Sequence, residues 1–301
     1  MPICAQCGQS AKLFLQAKDY NLKVSDVVFD YYRCTNPECG VIFLSPIPDN
    51  LGDYYSSDYE IYAKPQNIDE LTNVFGYQED IKLNQIMKFV AGGKMMEIGP
   101  GYGGFAYRAK KAGFEVEAIE MNDDACRFMN DVIGIKASVS ADPISTLRKT
   151  GQFDVIALWH VIEHIPDPWT MLDIIPEHLA PGGIVVIAAP NPQSFQFKIF
   201  QSHWRPLEAP RHLNLIPAHV IQKHLDKKGI KPIILDSQDE LAKLADYTYW
   251  HDGFTRYFSN PALKRMARIA SGLTHVFAKP FERQPFGRST YTLIFQRPTD
   301  S

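Results

Sequence analysis

The chain has 301 residues, 45 % hydrophobic and 22 % charged, with 31 Lys and Arg against 34 Asp and Glu and a formal net charge of −3. That length holds one large α/β unit and a small accessory one, and the charge balance lacks the basic field with which nucleic-acid-binding proteins attract phosphate. No run approaches the roughly 18 consecutive apolar residues of a membrane span, and the opening MPICAQCGQS lacks the apolar centre of a secretory signal, so a cytoplasmic protein is expected.

Five cysteines occur, four of them in two pairs, Cys4 with Cys7 and Cys34 with Cys39. Each pair is followed by a glycine, Gly8 or Gly40, which lets a knuckle turn tightly. In a reducing compartment such pairs are zinc ligands rather than disulfides, because two turns with two sulfurs each close a tetrahedron. A structural, four-sulfur zinc ribbon is expected over residues 1–50, with a strand at 24–33. Cys126 stands apart and reads as a small buried residue.

Residues 51–92 read as a linker rich in Pro, Asp, Ser and Tyr, followed by one or two leading helices. From residue 93 to 301 the pattern alternates. Strands are expected at 94–98, 115–120, 153–158 and 183–189, and helices at 103–112, 123–132 and 168–179. Strand and helix in alternation imply right-handed crossovers and a doubly wound α/β sheet covered on both faces. The segment 133–152 is irregular.

The first strand runs into Glu97-Ile98-Gly99-Pro100-Gly101-Tyr102-Gly103-Gly104. Glycines here let backbone approach a ligand at the carboxyl edge of the sheet. Gly99, Gly101 and Gly104 also satisfy the dinucleotide pattern, so an NAD-linked oxidoreductase is a real rival. Glu120, closing the second strand, is placed to accept both hydroxyls of an unphosphorylated ribose. Glu97 would repel a pyrophosphate but suits a cofactor carrying an ammonium and a sulfonium.

Glu97-x-Gly99-x-Gly101-x-Gly103, Glu120 at the end of strand two, Phe153-Asp154-Val155-Ile156 before HVIEHIPDP, and Leu179-Ala180-Pro181-Gly182-Gly183 before strand five together resemble a class I S-adenosylmethionine-dependent methyltransferase over residues 70–236. The resemblance implies a Rossmann-like seven-stranded sheet and S-adenosylmethionine as cofactor. It implies that the glycine loop holds the methionine portion, Glu120 the ribose and Met121 the adenine. Asp142 is the candidate acidic residue after strand three. Trp159 and His160 would line the cofactor beside its methyl group.

His160-Val161-Ile162-Glu163-His164 is also the H-x-x-E-H string of inverted zinc peptidases. A buried strand before it and Pro166 and Pro168 after it leave at most two helical turns, too few for that site. Spacing puts His160, Glu163 and His164 on one face of a short helix. Some members of this fold hold a divalent ion with Glu-x-x-Glu-His here; His160 replaces the first Glu. Three roles stay open: an ion at His160, Glu163 and His164, a proton acceptor with His164 as first choice, or hydrogen bonds that shape the pocket. His212 is a further candidate to face the methyl group.

Residues 194–216 read as a lid or substrate wall with Phe195, Phe197, Trp204 and Arg205; packing of the phenylalanines into the core is equally compatible with the pattern. Strands at 231–236 and 289–296 close the sheet. Between them the insert 239–286 is helical, with aromatics at 247, 249, 250, 254, 257 and 258 and bases at 264, 265, 268, 279 and 283. That mixture fits an acidic or glycosylated acceptor, peripheral contact with an anionic membrane, or packing against the domain or a second subunit. The expected activity is methyl transfer to a small hydroxylated, glycan or glycolipid-type acceptor, O-methylation first, N or C next. A nucleic-acid or protein methyltransferase and a non-catalytic binding module compete with it, and the ribbon's sparse basic charge argues against nucleic acid.

Overall fold

A computed structural model of the chain describes residues 1–55, 64–256, 258 and 260–299. Part of the expected linker, and Tyr257 of the insert, lie outside the described residues.

β1 (Ala11–Ala17), β2 (Phe29–Cys34) and β3 (Ile42–Leu44) form an antiparallel ribbon. The expected strand at 24–33 starts five residues late. The Asp19 carboxylate accepts from the backbone N–H groups of Asn21, Leu22 and Val24, which winds that segment into a turn instead of a ladder. One helix, α1 (Ile68–Met87), then leads into the main unit, its end capped by Asn67, which accepts from the Glu70 N–H at 2.9 Å.

The alternating elements follow in order: β4 (Gly93–Ile98), α2 (Gly104–Lys111), β5 (Phe114–Glu120), α3 (Asp123–Phe128), β6 (Lys136–Val139), α4 (Pro143–Leu147), β7 (Phe153–Trp159), α5 (Pro168–His178), β8 (Leu179–Pro190) and α6 (Phe195–Phe200). After them come β9 (Asn214–Leu215), α7 (Ala218–Lys227), β10 (Lys231–Asp236), α8 (Glu240–Arg256), α9 (Pro261–Glu282) and β11 (Thr290–Gln296). The irregular stretch 133–152 thus supplies the third strand, β6, and the short α4. Seven strands form one sheet in the order β10-β11-β8-β7-β4-β5-β6, parallel except for β11, which runs antiparallel to both neighbours. This is the expected doubly wound, Rossmann-like sheet.

Period-two alternation assigns the strands' side chains to two layers. Ile156, Leu158, Val185 and Ile187 face Met171, Leu172 and Ile175 of α5 and Val220, Ile221 and Leu225 of α7. Val155, Ala157, Ile184 and Val186 face the layer of Phe105, Ala106 and Ala109 of α2.

In the expected lid segment the packing alternative holds for Phe197, and Trp204 joins it: both are buried against Tyr31, Phe29 and Leu44 of the ribbon and Trp250 of α8, at the junction. β9 pairs antiparallel with β3, so the segment lends the ribbon a fourth strand. Cys4, Cys34, Cys39 and Val41 meanwhile belong to the main core. The helical insert is as expected, α8 against α9, and its root is polar. Asp246 accepts from Arg288 Nη1 and the Ser289 N–H, each at 2.9 Å, and the Trp250 indole donates to Glu282. Burial, with Glu282 nearby, raises the Asp246 carboxyl to about 6.

Candidate active site

β4 has β5 on one side and β7 on the other, so the connections leave in opposite directions and open a crevice at the carboxyl ends, where such sheets take ligands. A cleft of about 330 Å³ lies there, lined by Ile98, Gly99, Ile119, Glu120 and Met121 on one side and by His160, Val161, His164 and Ile165 on the other. Leu51, Gly52 and Tyr55, from the segment after the ribbon, also line it.

The glycine loop is built for a close approach. Gly99, Gly101 and Gly103 all have positive φ, and a Cβ at Gly99 would sit 2.7 Å from Val161, at Gly103 2.8 Å from Met129. Gly101 N–H and Asn122 N–H each donate to Glu120, at 2.9 Å, which fixes that buried carboxylate at the tip of β5. Met121 is half-exposed on the cleft wall.

Glu97 is buried beneath the loop, and among the described residues its Oε2 has no hydrogen-bond partner. Burial raises its carboxyl to about 8, with Lys82 of α1 opposing. The same Lys82 ammonium lies 5.4 Å from the centre of the Trp159 ring. Trp159 is buried against Phe105 and, among the described residues, its indole N–H has no partner.

Asp142 is not brought into the cleft. It caps α4, accepting from Ser145 N–H at 3.0 Å and Ser145 Oγ at 2.5 Å, while its neighbours Ser140, Ala141 and Pro143 line the wall.

The H-x-x-E-H string is a turn, not the short helix its spacing allowed. His160 has φ +58°, a left-handed conformation that costs a non-glycine residue about 1 kcal/mol or more. The Glu163 carbonyl is taken by the N–H groups of Leu213 and Asn214, at 2.8 and 3.1 Å, and so is withdrawn from any helical ladder. Helix geometry therefore does not bring the three side chains together. The link between the turn and β9 gathers Glu163 and His164 with His212 instead, and His160, expected as a ligand beside them, is not one of that group.

Glu163 is 1 % exposed, and among the described residues neither carboxylate oxygen accepts a hydrogen bond. His160 Nδ1 lies 3.5 Å from its Oε1. Burial pushes the carboxyl up, but His160, His212 and His164 outweigh it and hold it below the usual range. His164 stacks edge-on to His212 with ring centres 4.5 Å apart, and its Nδ1 is 3.0 Å from the Tyr55 hydroxyl and 3.1 Å from the Arg211 carbonyl. A carbonyl only accepts, so Nδ1 carries the proton and Nε2 the lone pair. His212 Nδ1, 2.6 Å from the Pro206 carbonyl, has the same tautomer. Burial, with His212 adjacent, lowers His164 to about 4. Ligand atoms of Glu163, His164 and His212 lie within 4.8 Å of one another.

Three residues of the site carry no signal in the sequence: Tyr55, Lys82 and Glu208. Tyr55 sits in a tyrosine-rich loop, Lys82 on a helix face, and Glu208, which flanks His212 at 3.7 Å, in a loop; each is ordinary in its local pattern.

In the ribbon, Cys4 Sγ lies 3.8 Å from Cys39 Sγ and Cys7 Sγ 3.4 Å from Cys34 Sγ, and all four are within 4.8 Å of one another. Tetrahedral zinc–sulfur bonds of about 2.3 Å require sulfurs about 3.8 Å apart. The cluster fits a zinc-ribbon-like motif. The contact between Cys4 and Cys39 lowers the Cys4 thiol and pushes that of Cys39 up.

No described helix is long and apolar enough to cross a membrane. Among relatives, the ubiquinone biosynthesis O-methyltransferase of Psychrobacter cryohalolentis is 29 % identical over 150 residues, 47 % of this chain and 58 % of that protein. That of Ruegeria sp. is 25 % identical, over 56 % and 72 %. A solved S-adenosylmethionine-dependent methyltransferase from Archaeoglobus fulgidus shares the fold with a TM-score of 0.52, 20 % identity and coverage of 76 % of this chain and 96 % of that one. The family model of the methyltransferase domain matches residues 77–274, well over half of the chain. The chain belongs to that family, class I methyltransferases with a Rossmann-like sheet, and carries a zinc-ribbon-like cysteine cluster at its N-terminus.

Proposed function

We propose that the protein moves the methyl group of S-adenosylmethionine to a hydroxyl oxygen of a small hydroxylated acceptor, of which a glycan or glycolipid-type molecule is one form. The observation that carries this reading is the two-sided cleft, with Gly99, Glu120 and Met121 facing His160 and His164. The orphaned oxygen of Glu97 and the glycine loop, with Gly99, Gly101 and Gly103 at positive φ, fit the cofactor's ammonium and methionine chain. Glu120 would hold the ribose hydroxyls and Met121 the adenine; Asp142 would act only through the α4 cap.

When bound, the cofactor supplies an electrophilic methyl group. The protein's contribution is alignment and proton removal. His160 lines the cleft and has Glu163 beside its Nδ1, an arrangement that supports His160 as acceptor of the hydroxyl proton, with Glu163 favouring the resulting imidazolium. His164, first choice from sequence, is the weaker base because burial lowers its pKa to about 4; it would position the acceptor together with Tyr55 and His212. A second reading places a divalent ion on Glu163, His164 and His212, supported by the unpartnered carboxylate and the two Nε2 lone pairs. The ribbon would hold one structural zinc. In this reading residues 1–50 and 51–92 are accessory to a methyltransferase unit at 93–301.

Calorimetric titration with S-adenosylmethionine, S-adenosylhomocysteine and NAD tests the reading. Binding of the first two, lost in Gly101→Val, is expected. Binding of NAD alone would favour the oxidoreductase, and binding of none the non-catalytic module.

A further inference from the structure

We propose that α9 is a membrane-surface helix that docks the protein on an anionic lipid bilayer. The helix is packed the wrong way round for a protein meant to stay in water. Its buried side is made of small or polar residues, Ala267, Ser271, Ala278 and Glu282. Its bulky apolar residues point outward: Leu263, Met266, Ile269, Val276, Phe277 and Phe281 are between 43 % and 75 % exposed. An amphipathic helix ordinarily turns the large residues into the core, because buried apolar area is what holds it there.

Charge identifies what covers this face. At about 100° per residue the six apolar side chains fall on one arc of roughly 140°, and Lys264, Arg265, Arg268 and Lys279 on the adjoining arc. These four bases are exposed, and among the described residues none pairs with a carboxylate. The only acidic residue of α9, Glu282, is buried against Trp250. An apolar stripe flanked by unneutralised cations, in a chain whose net charge is −3, matches acyl chains beneath anionic headgroups. A second copy fits less well, since a two-fold contact sets the same cationic arc against itself. The charges along α9, and its failure to qualify as a span, make the contact interfacial. Asp246, Arg288 and Glu282 tie the hairpin to the residues that lead into β11. The proposal stands independently of methyl transfer.

The test is co-sedimentation of the full chain with phosphatidylcholine vesicles, with or without phosphatidylglycerol, alongside light scattering without lipid. Binding only to the phosphatidylglycerol vesicles is expected. It should fall at least tenfold in Ile269→Glu/Phe277→Glu and in Lys264→Glu/Arg268→Glu, while both variants keep the wild-type melting temperature and S-adenosylhomocysteine affinity. Equal binding to both vesicles, none to either, or full binding by the variants would overturn it. So would a dimer that Ile269→Glu/Phe277→Glu dissolves without any vesicle binding, which would assign the face to a second copy.

Discussion

Glu97 is a carboxyl that burial keeps protonated at neutral pH, although the proposed cofactor would want it charged. Its folded pKa of about 8 lies above the unfolded value of 4.5, so its contribution to stability is complete below 4.5 and is lost as pH rises through 8. The unliganded protein should therefore lose melting temperature over that window more steeply than Glu97→Gln. Pairing with an ammonium requires the carboxylate, so binding should release a proton at pH 7, and affinity should rise roughly tenfold per pH unit below about 8. Calorimetry in buffers of different ionisation enthalpy reads that proton directly. If binding releases none, the ammonium does not meet Glu97. The histidines separate in the same way by experiment. Removing His160 should lower kcat by about 10² or more with KM little changed, whereas His164→Ala should chiefly raise KM. An unchanged kcat in His160→Ala would move the base elsewhere. Glu97, Gly99, Glu120 and His160 were legible because each belongs to a motif with a fixed place at a strand end. Tyr55 and Lys82 were not, since nothing in their neighbourhoods distinguishes them from surface residues.

At the scale of elements, the legible parts were those whose hydrophobic period is set by burial. β4, β5, β7, β8 and β11 are covered on the sheet faces, and their apolar runs say so. β6 did not announce itself: its four residues, Lys-Ala-Ser-Val, lie at the sheet edge with none of them buried. The H-x-x-E-H turn misled in another way. Its i, i+3, i+4 spacing is helical, yet a tertiary contact decided it, for the Glu163 carbonyl bonds to residues some fifty positions later. Non-local pairing of this kind leaves no periodic trace, and β9, two residues long, leaves less.

At the scale of the whole molecule, the ribbon is tied to the segment that flanks the H-x-x-E-H turn. Arg211, fully buried, reaches Asp19 of the ribbon at 2.9 Å, and the Tyr31 hydroxyl of β2 donates to the His212 carbonyl at 2.9 Å. Chelation of the ribbon metal should therefore do more than unfold 50 residues. It should lower the melting temperature of the whole chain in one transition and weaken S-adenosylhomocysteine binding. Metal analysis of the purified protein checks both proposed ions. One zinc per chain, lost in Cys34→Ser, is expected; a second equivalent lost only in Glu163→Gln would establish the ion at the turn. A chelated protein that melts and binds like the untreated one would make the cluster dispensable.

The two-residue β9 has one more consequence, for traffic. It closes the edge of β3, and the residues at its start hold the carbonyl of Glu163. Swinging residues 194–216 aside to admit an acceptor would leave an open strand edge and release the turn that carries the reactive side chains. The segment is therefore built to stay in place, and under the proposed function an acceptor would reach His160 along the part of the cleft that Leu51, Gly52 and Tyr55 line, without displacing it.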